Sequence, residues 1–327
     1  MQGPQRAKLR DGRRWHFQHG PIDLILEGFG EAKDVEGAYA QAWQCFETIL
    51  PNLIGELPTL RRHVEEQRPQ VRGPAAKRMI AAVWPHRNVF VTPMAAVAGA
   101  VADEVLEALV ANHNLERAYV NNGGDIALFL SPGQRFKTGL VTQPVPSPHP
   151  LPEGEGIKER RHDQITSPAV WPLCSMAQPV LTGILPGGEE INGAITITSD
   201  MPIRGIATSG RGGRSLSLGI ADSVTVLAEN AAAADVAATL IANAINVEHP
   251  AIDRVPAVEL DPDSDLGDRL VTVSVGALGD GEIEEALNGG AERAEAMRLS
   301  GMIEAARLSL AGRHREVLPS PVPLVRI

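Results

Sequence analysis

Two runs with an apolar residue at every second position, DSVTVLA (222–228) and LVTVSV (270–275), flank the segment ENAAAADVAATLIANAI (229–245). The alternation predicts strands. The segment between them predicts a helix, capped by Asn230 and built from alanines, which are strong helix formers. Almost all of its side chains are small and apolar, and this restricts the fold: a charged group on such a helix needs a partner wherever it is buried. Asp235 is the single charged residue inside it. A carboxylate buried on such a helix is costly without a partner. Thr239 follows four residues later on the same face. Carboxylate and hydroxyl are hard oxygen donors, suited to a Mg²⁺ ion that keeps waters and phosphate oxygens as its other ligands. The plainer reading is an ordinary polar pair with a back-bonded threonine.

A second small-residue helix, MAAVAGAVADEVLEALVAN, begins at Met94. Thr92 suits its cap, and Pro93 its first position. Asp103 ends the Ala/Gly half and is a further candidate ligand. Upstream, 22–26 reads as a buried strand. The next helix has Tyr39, Trp43, Phe46 and Leu50 on one stripe and is bracketed at its end by Pro51 and Pro58. Residues 88–91 read as a short strand. Strands at 117–120 and 126–130 are joined by the turn Asn121-Asn122-Gly123-Gly124-Asp125, since Asn and Gly tolerate positive φ. A further strand covers 137–142. Alternating segments at 194–198 and 204–208 add two more. A final helix carries Leu299, Met302, Ile303, Ala306 and Leu310, with a tail over 312–327. Helices and antiparallel-looking strands without regular βαβ alternation predict an α+β fold of mixed, largely antiparallel sheets packed with helices. The whole of 1–327 reads as a single domain.

Residues 144–179 interrupt this order, with five prolines alternating from Pro144 to Pro152. Such a run cannot donate to a sheet ladder and is expected to be an extended or disordered loop insertion between neighbouring strands. The chain of 327 residues is 43% hydrophobic and 21% charged, enough for a packed core. Its formal charge of −10 and its 4% aromatic content argue against nucleic-acid binding. The only cysteines, Cys45 and Cys174, exclude a disulfide framework and a cysteine-rich zinc site. The basic start has no apolar run behind it, so no secretory signal is expected. The apolar stretch 89–102 is too short to span a bilayer. A cytoplasmic protein, not membrane-bound, is the expectation, with oligomerisation left open.

Chemistry concentrates in three places. Thr208-Ser209-Gly210-Arg211-Gly212-Gly213-Arg214 follows a strand directly. Its glycines let backbone N–H groups converge, and its arginines add forked positive charge, a combination suited to phosphate or carboxylate. A solvated hairpin loop is the bland alternative. The turn with Gly123, Gly124 and Asp125 permits backbone approach to a flat ligand, and Asp125 offers an anchor; a plain hairpin fits equally. The third is the Asp235/Thr239 pair. Other patterns fail. Gly28-Phe-Gly30 lacks the third glycine of a dinucleotide fingerprint, since Lys33 stands there. No Walker A sequence or G-x-S-x-G elbow is present. The Asp261/Asp263/Asp265 series has Leu266 where a calcium loop needs glycine.

Taken together, YVNNGGDIAL, GIATSGR and the AD-x-A-A-T helix resemble, in their order, the ApbE-like superfamily. The helix ending in Asp103 is similar to another of its blocks. HGPIDLIL and GIATSGRGGRSLSLGIADSVTVLA resemble a branch apart from the namesake. The namesakes are FAD:protein FMN transferases, which use Mg²⁺ to cleave FAD and attach FMN to a Ser or Thr of an acceptor flavoprotein. The resemblance implies that Asp235 and Thr239 match the metal ligands. It implies that Gly123, Gly124 and Asp125 match the flavin-nucleotide turn, with Thr208, Ser209 and Gly210 beside it. Ala98 stands where the family block has lysine, and Arg211-Gly212 replace an acidic-aromatic pair. Arg211 and Arg214 suggest a smaller or more anionic ligand. Asp125 and Asp222 are the candidates to orient the ligand or act as base. The expectation is therefore an ApbE-like Mg²⁺ enzyme for FAD, FMN or another small anion. Two alternatives stand beside it: a lyase, isomerase or hydrolase of a small carboxylated metabolite, and a non-catalytic flavin or anion binder.

Overall fold

The computed structural model describes residues 3–141, 191–213 and 215–318. The proline-rich run 144–179, Cys174, Arg214 and the chain beyond 318 lie outside the described residues. In chain order the elements are β1 (Gln5–Lys8), β2 (Trp15–His19), β3 (Ile22–Gly30), α1 (Ala32–Leu60), α2 (Pro74–Val83) and α3 (Val97–Val110). There follow β4 (Leu115–Asn122), β5 (Asp125–Leu130), β6 (Arg135–Val141), β7 (Ile191–Thr198), β8 (Gly205–Ser209), β9 (Ser223–Ala228) and α4 (Ala231–Ala244). The chain continues through β10 (Ile252–Pro256), the single turn α5 (Ala257–Leu260), β11 (Leu270–Val275), α6 (Asp280–Leu299), β12 (Ala305–Leu310) and β13 (Arg313–Val317).

Nine strands form one antiparallel sheet in the order β1-β2-β3-β4-β5-β8-β9-β12-β13. The pairs β6–β7 and β10–β11 are separate ribbons. The class is α+β, as the mixture of helices and alternating strands predicts. Strand alternation divides the sheet into two faces. Leu24, Leu26, Val120, Ala127, Ala207 and Val226 join the helices in the main core. Tyr119, Ile126, Leu128, Ile206 and Leu227 face the other way, with Phe136 and Ile197 of the β6–β7 ribbon. No helix of the described residues is long and apolar enough to cross a membrane.

Four sequence expectations are corrected here. Helix α1 runs through Pro51 and Pro58 to Leu60. Both prolines sit at exposed positions, so the carbonyls they leave without an N–H partner, those of Glu47 and Ile54, belong to the solvent face. Residues 88–91 form no strand; Val64 N–H and the ring of His63 meet the Val91 backbone instead. The terminal helix ends at Leu299, and Ala306, Leu308 and Leu310 lie on a strand. Their spacing fits period two as well as a helical stripe, and Gly301 at φ +73° breaks the helix between. Part of the expected tail is the edge strand β13.

Candidate functional site

Helices α3 and α4 cross where their backbones nearly touch. A Cβ on Gly99 would overlap the Ala231 carbonyl, so only glycine allows the crossing. Each helix then supplies a carboxylate to the other's N-terminus. Asp103 of α3 accepts from Ala231 N–H at 3.0 Å and from Ala232 N–H at 2.9 Å. Asp235 of α4 accepts from Gly99 N–H at 3.0 Å. Free N–H groups and the positive end of the helix dipole both favour this arrangement. Asn230 completes the α4 start by accepting from Ala233 N–H at 2.8 Å, as expected of its cap.

Both carboxylates remain short of countercharge. Burial pushes Asp103 up to about 6, against the pull of its two N–H donors. Burial also raises Asp235 above the usual carboxylate range; the N–H groups of Gly99 and Ala98 oppose this, and the neighbouring charge of Asp103 adds to it. Along α4, Asp235, Thr239 and Asn243 are half-buried, while Val236, Ala237, Ala238, Leu240, Ile241 and Ala242 are buried. The spacing of four makes them one polar stripe. Its far end is occupied, since Asn243 Oδ1 accepts from Leu218 N–H at 3.1 Å.

The β4–β5 turn docks on the same crossing. Asn122 pairs with Asp125, leaving Gly123 and Gly124 as a two-residue loop at φ +65° and +116°. Asn121 Oδ1 accepts from Gly124 N–H at 2.8 Å. Asn122 Nδ2 donates to the Ala98 carbonyl at 3.0 Å, tying the turn to the first turn of α3. Asp125 is buried, and alternation from Ala127 puts it on the helix side of the sheet. β8 lies alongside, with Ile126 opposite Ile206.

The loop after β8 divides the remaining candidates. Ser209 pairs with Val224, which is in the helix-side core, so Ser209 shares the face of Asp125. Thr208 points to the opposite face and bonds the Thr225 hydroxyl at 3.0 Å. Gly210 packs against the Asp222 carbonyl. Arg211 donates from Nε and Nη2 to Asp222 Oδ1 at 3.0 and 2.7 Å. Asp222 Oδ2 accepts from Ala311 N–H at 2.6 Å, clamping the loop to the β12–β13 turn. Among the described residues, then, Asp235, Thr239, Asp103, Asp125, Gly123, Gly124 and Ser209 share one side of the sheet. Thr208 and the Arg211–Asp222 pair are otherwise engaged.

Among the described residues, no three His, Cys, Asp or Glu side chains gather to hold a metal ion. Two hollows lie elsewhere. One, of about 580 Å³, borders α6 at Asn246, Glu284, Glu285 and Glu292. The other, of about 330 Å³, is lined by Met201, Arg204, Glu229, Met302 and Glu304. Sequence reasoning took Asn122 only as part of the turn and Gly99 only as one of the small residues of its helix, and it missed Asn243. Extending the Asp235/Thr239 spacing by one more turn finds Asn243; nothing local marks Gly99.

The family described as AbpE bacteria matches residues 6–164 and 173–316. The chain belongs to this family. The ApbE-like resemblance read from its motifs therefore holds. A UPF0280 protein of Methanothrix thermoacetophila is 32% identical to this AbpE bacteria member over 175 residues, 53% of this chain and 52% of the relative. A UPF0280 protein of Methanococcoides burtonii is 28% identical over 179 residues, 54% of each chain. The chain thus spans about half the length of the curated relatives it matches. The solved flavin transferase ApbE of Vibrio cholerae aligns over 97% of this chain and 98% of its own, at 12% identity and a TM-score of 0.41.

Proposed function

We propose that this AbpE bacteria member is a Mg²⁺-dependent enzyme that binds a flavin nucleotide, with transfer of FMN from FAD to an acceptor protein as its activity. One observation carries the reading. Two neighbouring carboxylates, Asp103 and Asp235, meet beside the Gly123-Gly124 turn, held by helix N-termini, and both stay above the usual carboxylate range although Arg78 acts on Asp103. The donor chemistry there fits a divalent ion. Asp235 and Thr239 would hold it, and phosphate oxygens of the ligand would complete its shell. When bound, such an ion neutralises charge developing on a pyrophosphate.

The chain's own groups then divide the work. The Gly123-Gly124 turn lets a flat ring approach the backbone, and Asn122 fixes that turn against α3. Ser209 offers a hydroxyl on the same side. Asp125 is the candidate to orient the ligand or accept a proton. Asp222 leaves that role, because its two oxygens hold Arg211 and the Ala311 N–H. The same engagement disfavours a clamp in which Arg211 grips a small carboxylate.

The test is a thermal-shift series with FAD, FMN, ADP and small dicarboxylates, with and without Mg²⁺. FAD is expected to raise the melting temperature only when Mg²⁺ is present, as a ligand bound by the folded state alone does. Asp235→Ala is expected to abolish the Mg²⁺-linked part. A shift that survives in that variant, or one produced by dicarboxylates and not by FAD, rejects the assignment.

A further inference from the structure

The acidic chain has a basic region that the site does not use. Residues 61–88 hold seven Lys and Arg against two Glu, in a protein of net charge −10. They connect the end of α1, through α2, to the segment that leads into α3. Arg62, Arg68, Arg72, Lys77 and Arg87 are exposed. Among the described residues none of these five forms an ion pair, although Arg61 next to them meets Asp263 at 3.7 Å.

Two of the arginines are held in place. Arg87 and Arg68 lie over the Trp84 ring, their guanidinium carbons 4.8 and 5.9 Å from its centroid. Trp84 is itself partly buried against the main core, which holds the ring in place. Arg87 Nη1 also donates to the Trp84 carbonyl at 3.1 Å. Arg269 stacks on nearby Phe90 in the same way. Stacking fixes a guanidinium by its face and leaves N–H groups at its edge to fork onto a planar acceptor. Less side-chain freedom is then lost on binding, which is where exposed ion pairs ordinarily lose their strength.

We propose that the exposed arginine-rich segment 61–88, centred on Arg68 and Arg87 at Trp84, docks a carboxylate-rich segment of a partner protein. Carboxylates suit the fork, and the Arg61–Asp263 pair is the same chemistry within the chain. The rest of the chain is more acidic than its net charge, and Glu65 and Glu66 are exposed within the patch. A longer polyanion such as duplex DNA would meet that repulsion beyond the arginines. The inference is independent of the Mg²⁺ and flavin reading.

Fluorescence anisotropy with a labelled oligoglutamate peptide tests it on the full chain. The peptide is expected to bind, and to bind more weakly as salt is raised. The charge reversal Arg68→Glu with Arg87→Glu is expected to weaken binding about tenfold or more. Arg62→Glu with Arg72→Glu, at residues that do not stack on the tryptophan, provides a second variant should the first fail to fold, and is expected to weaken binding as well. An unchanged melting temperature certifies each variant. The proposal is overturned if the wild-type chain does not bind the peptide, or if folded variants bind it as well as wild type. Tighter binding of duplex DNA or anionic phosphatidylserine vesicles than of the peptide, at equal salt, also overturns it.

Discussion

Asp103 and Asp222 each offer both carboxylate oxygens to fixed donors, but with opposite electrostatic results. Asp222 meets a guanidinium and an N–H at the protein's edge, so its charge is cancelled locally. Asp103 meets two N–H groups in the interior, next to a second carboxylate, and among the described residues the charge of Arg78 offsets its burial only in part. Among the described residues, Arg211 is engaged by Asp222, whereas Asp103 is only partly compensated. Arg211 by itself is therefore a poor starting point for an anion site. Under the proposed function the helix crossing is the place that takes a cation.

The strongest challenge to this contrast is steric. Cβ atoms at Gly99 and Gly205 would overlap the backbone at 230–231. Gly205→Val or Gly99→Val should push the α4 start off its donors and cost about 3 kcal/mol or more. Chemical denaturation measures this, and near-wild-type stability would mean that the crossing is loose. The next test compares the two carboxylates of the crossing. Asp103→Ala leaves two buried N–H groups unsatisfied, so a loss of roughly 2–4 kcal/mol is expected. Asp235→Asn keeps an acceptor for Gly99 while removing one of two neighbouring charges, so its effect should stay below about 1 kcal/mol. Equal costs would show that the two are not separate roles.

At the edge, Arg211→Ala breaks a partly exposed pair and should cost at most about 1 kcal/mol. Asp222→Ala also strands the Ala311 N–H and should cost more. Melting temperatures in the reverse order would refute the clamp. The smallest effect is at Asp11. Its carboxyl is pushed up by what burial it has, but the N–H groups of Arg13 and Arg14 and the Arg14 guanidinium bring it down to about 2. A folded-state value below the unfolded one contributes stability above about pH 4, and that contribution disappears as pH falls toward 2. Amide exchange at Arg13 and Arg14 should accelerate across that window, and Asp11→Asn should remove the pH dependence.

Much of the sheet was legible from its apolar runs: 22–26 and 126–130 are almost wholly apolar, the second because both its faces meet a core, and 222–228 shows alternation as well. The NNGGD turn was legible because its conformation demands those residues. The crossing was not. Asp103 and the N–H groups it binds are far apart along the chain, and a local pattern cannot reveal a partner that only tertiary packing supplies. Asp235 was legible as a carboxylate in need of company, though its partner is a helix end. The Thr208-Ser209 pair was treated as one feature, yet adjacent strand residues face opposite sides. Thr92 was expected to cap a helix; its hydroxyl bonds Asp265 instead.

The β6–β7 ribbon has one more implication. Its ladder closes at Val141 opposite Ile191, so both ends of the intervening segment are pinned by the same hydrogen bonds. Lengthening a tether between two fixed posts costs only the logarithm of its length. The tip of this ribbon is thus a place where evolution or an engineer can splice in foreign sequence, such as a tag, a reporter or a binding peptide, with little burden on the nine-stranded sheet.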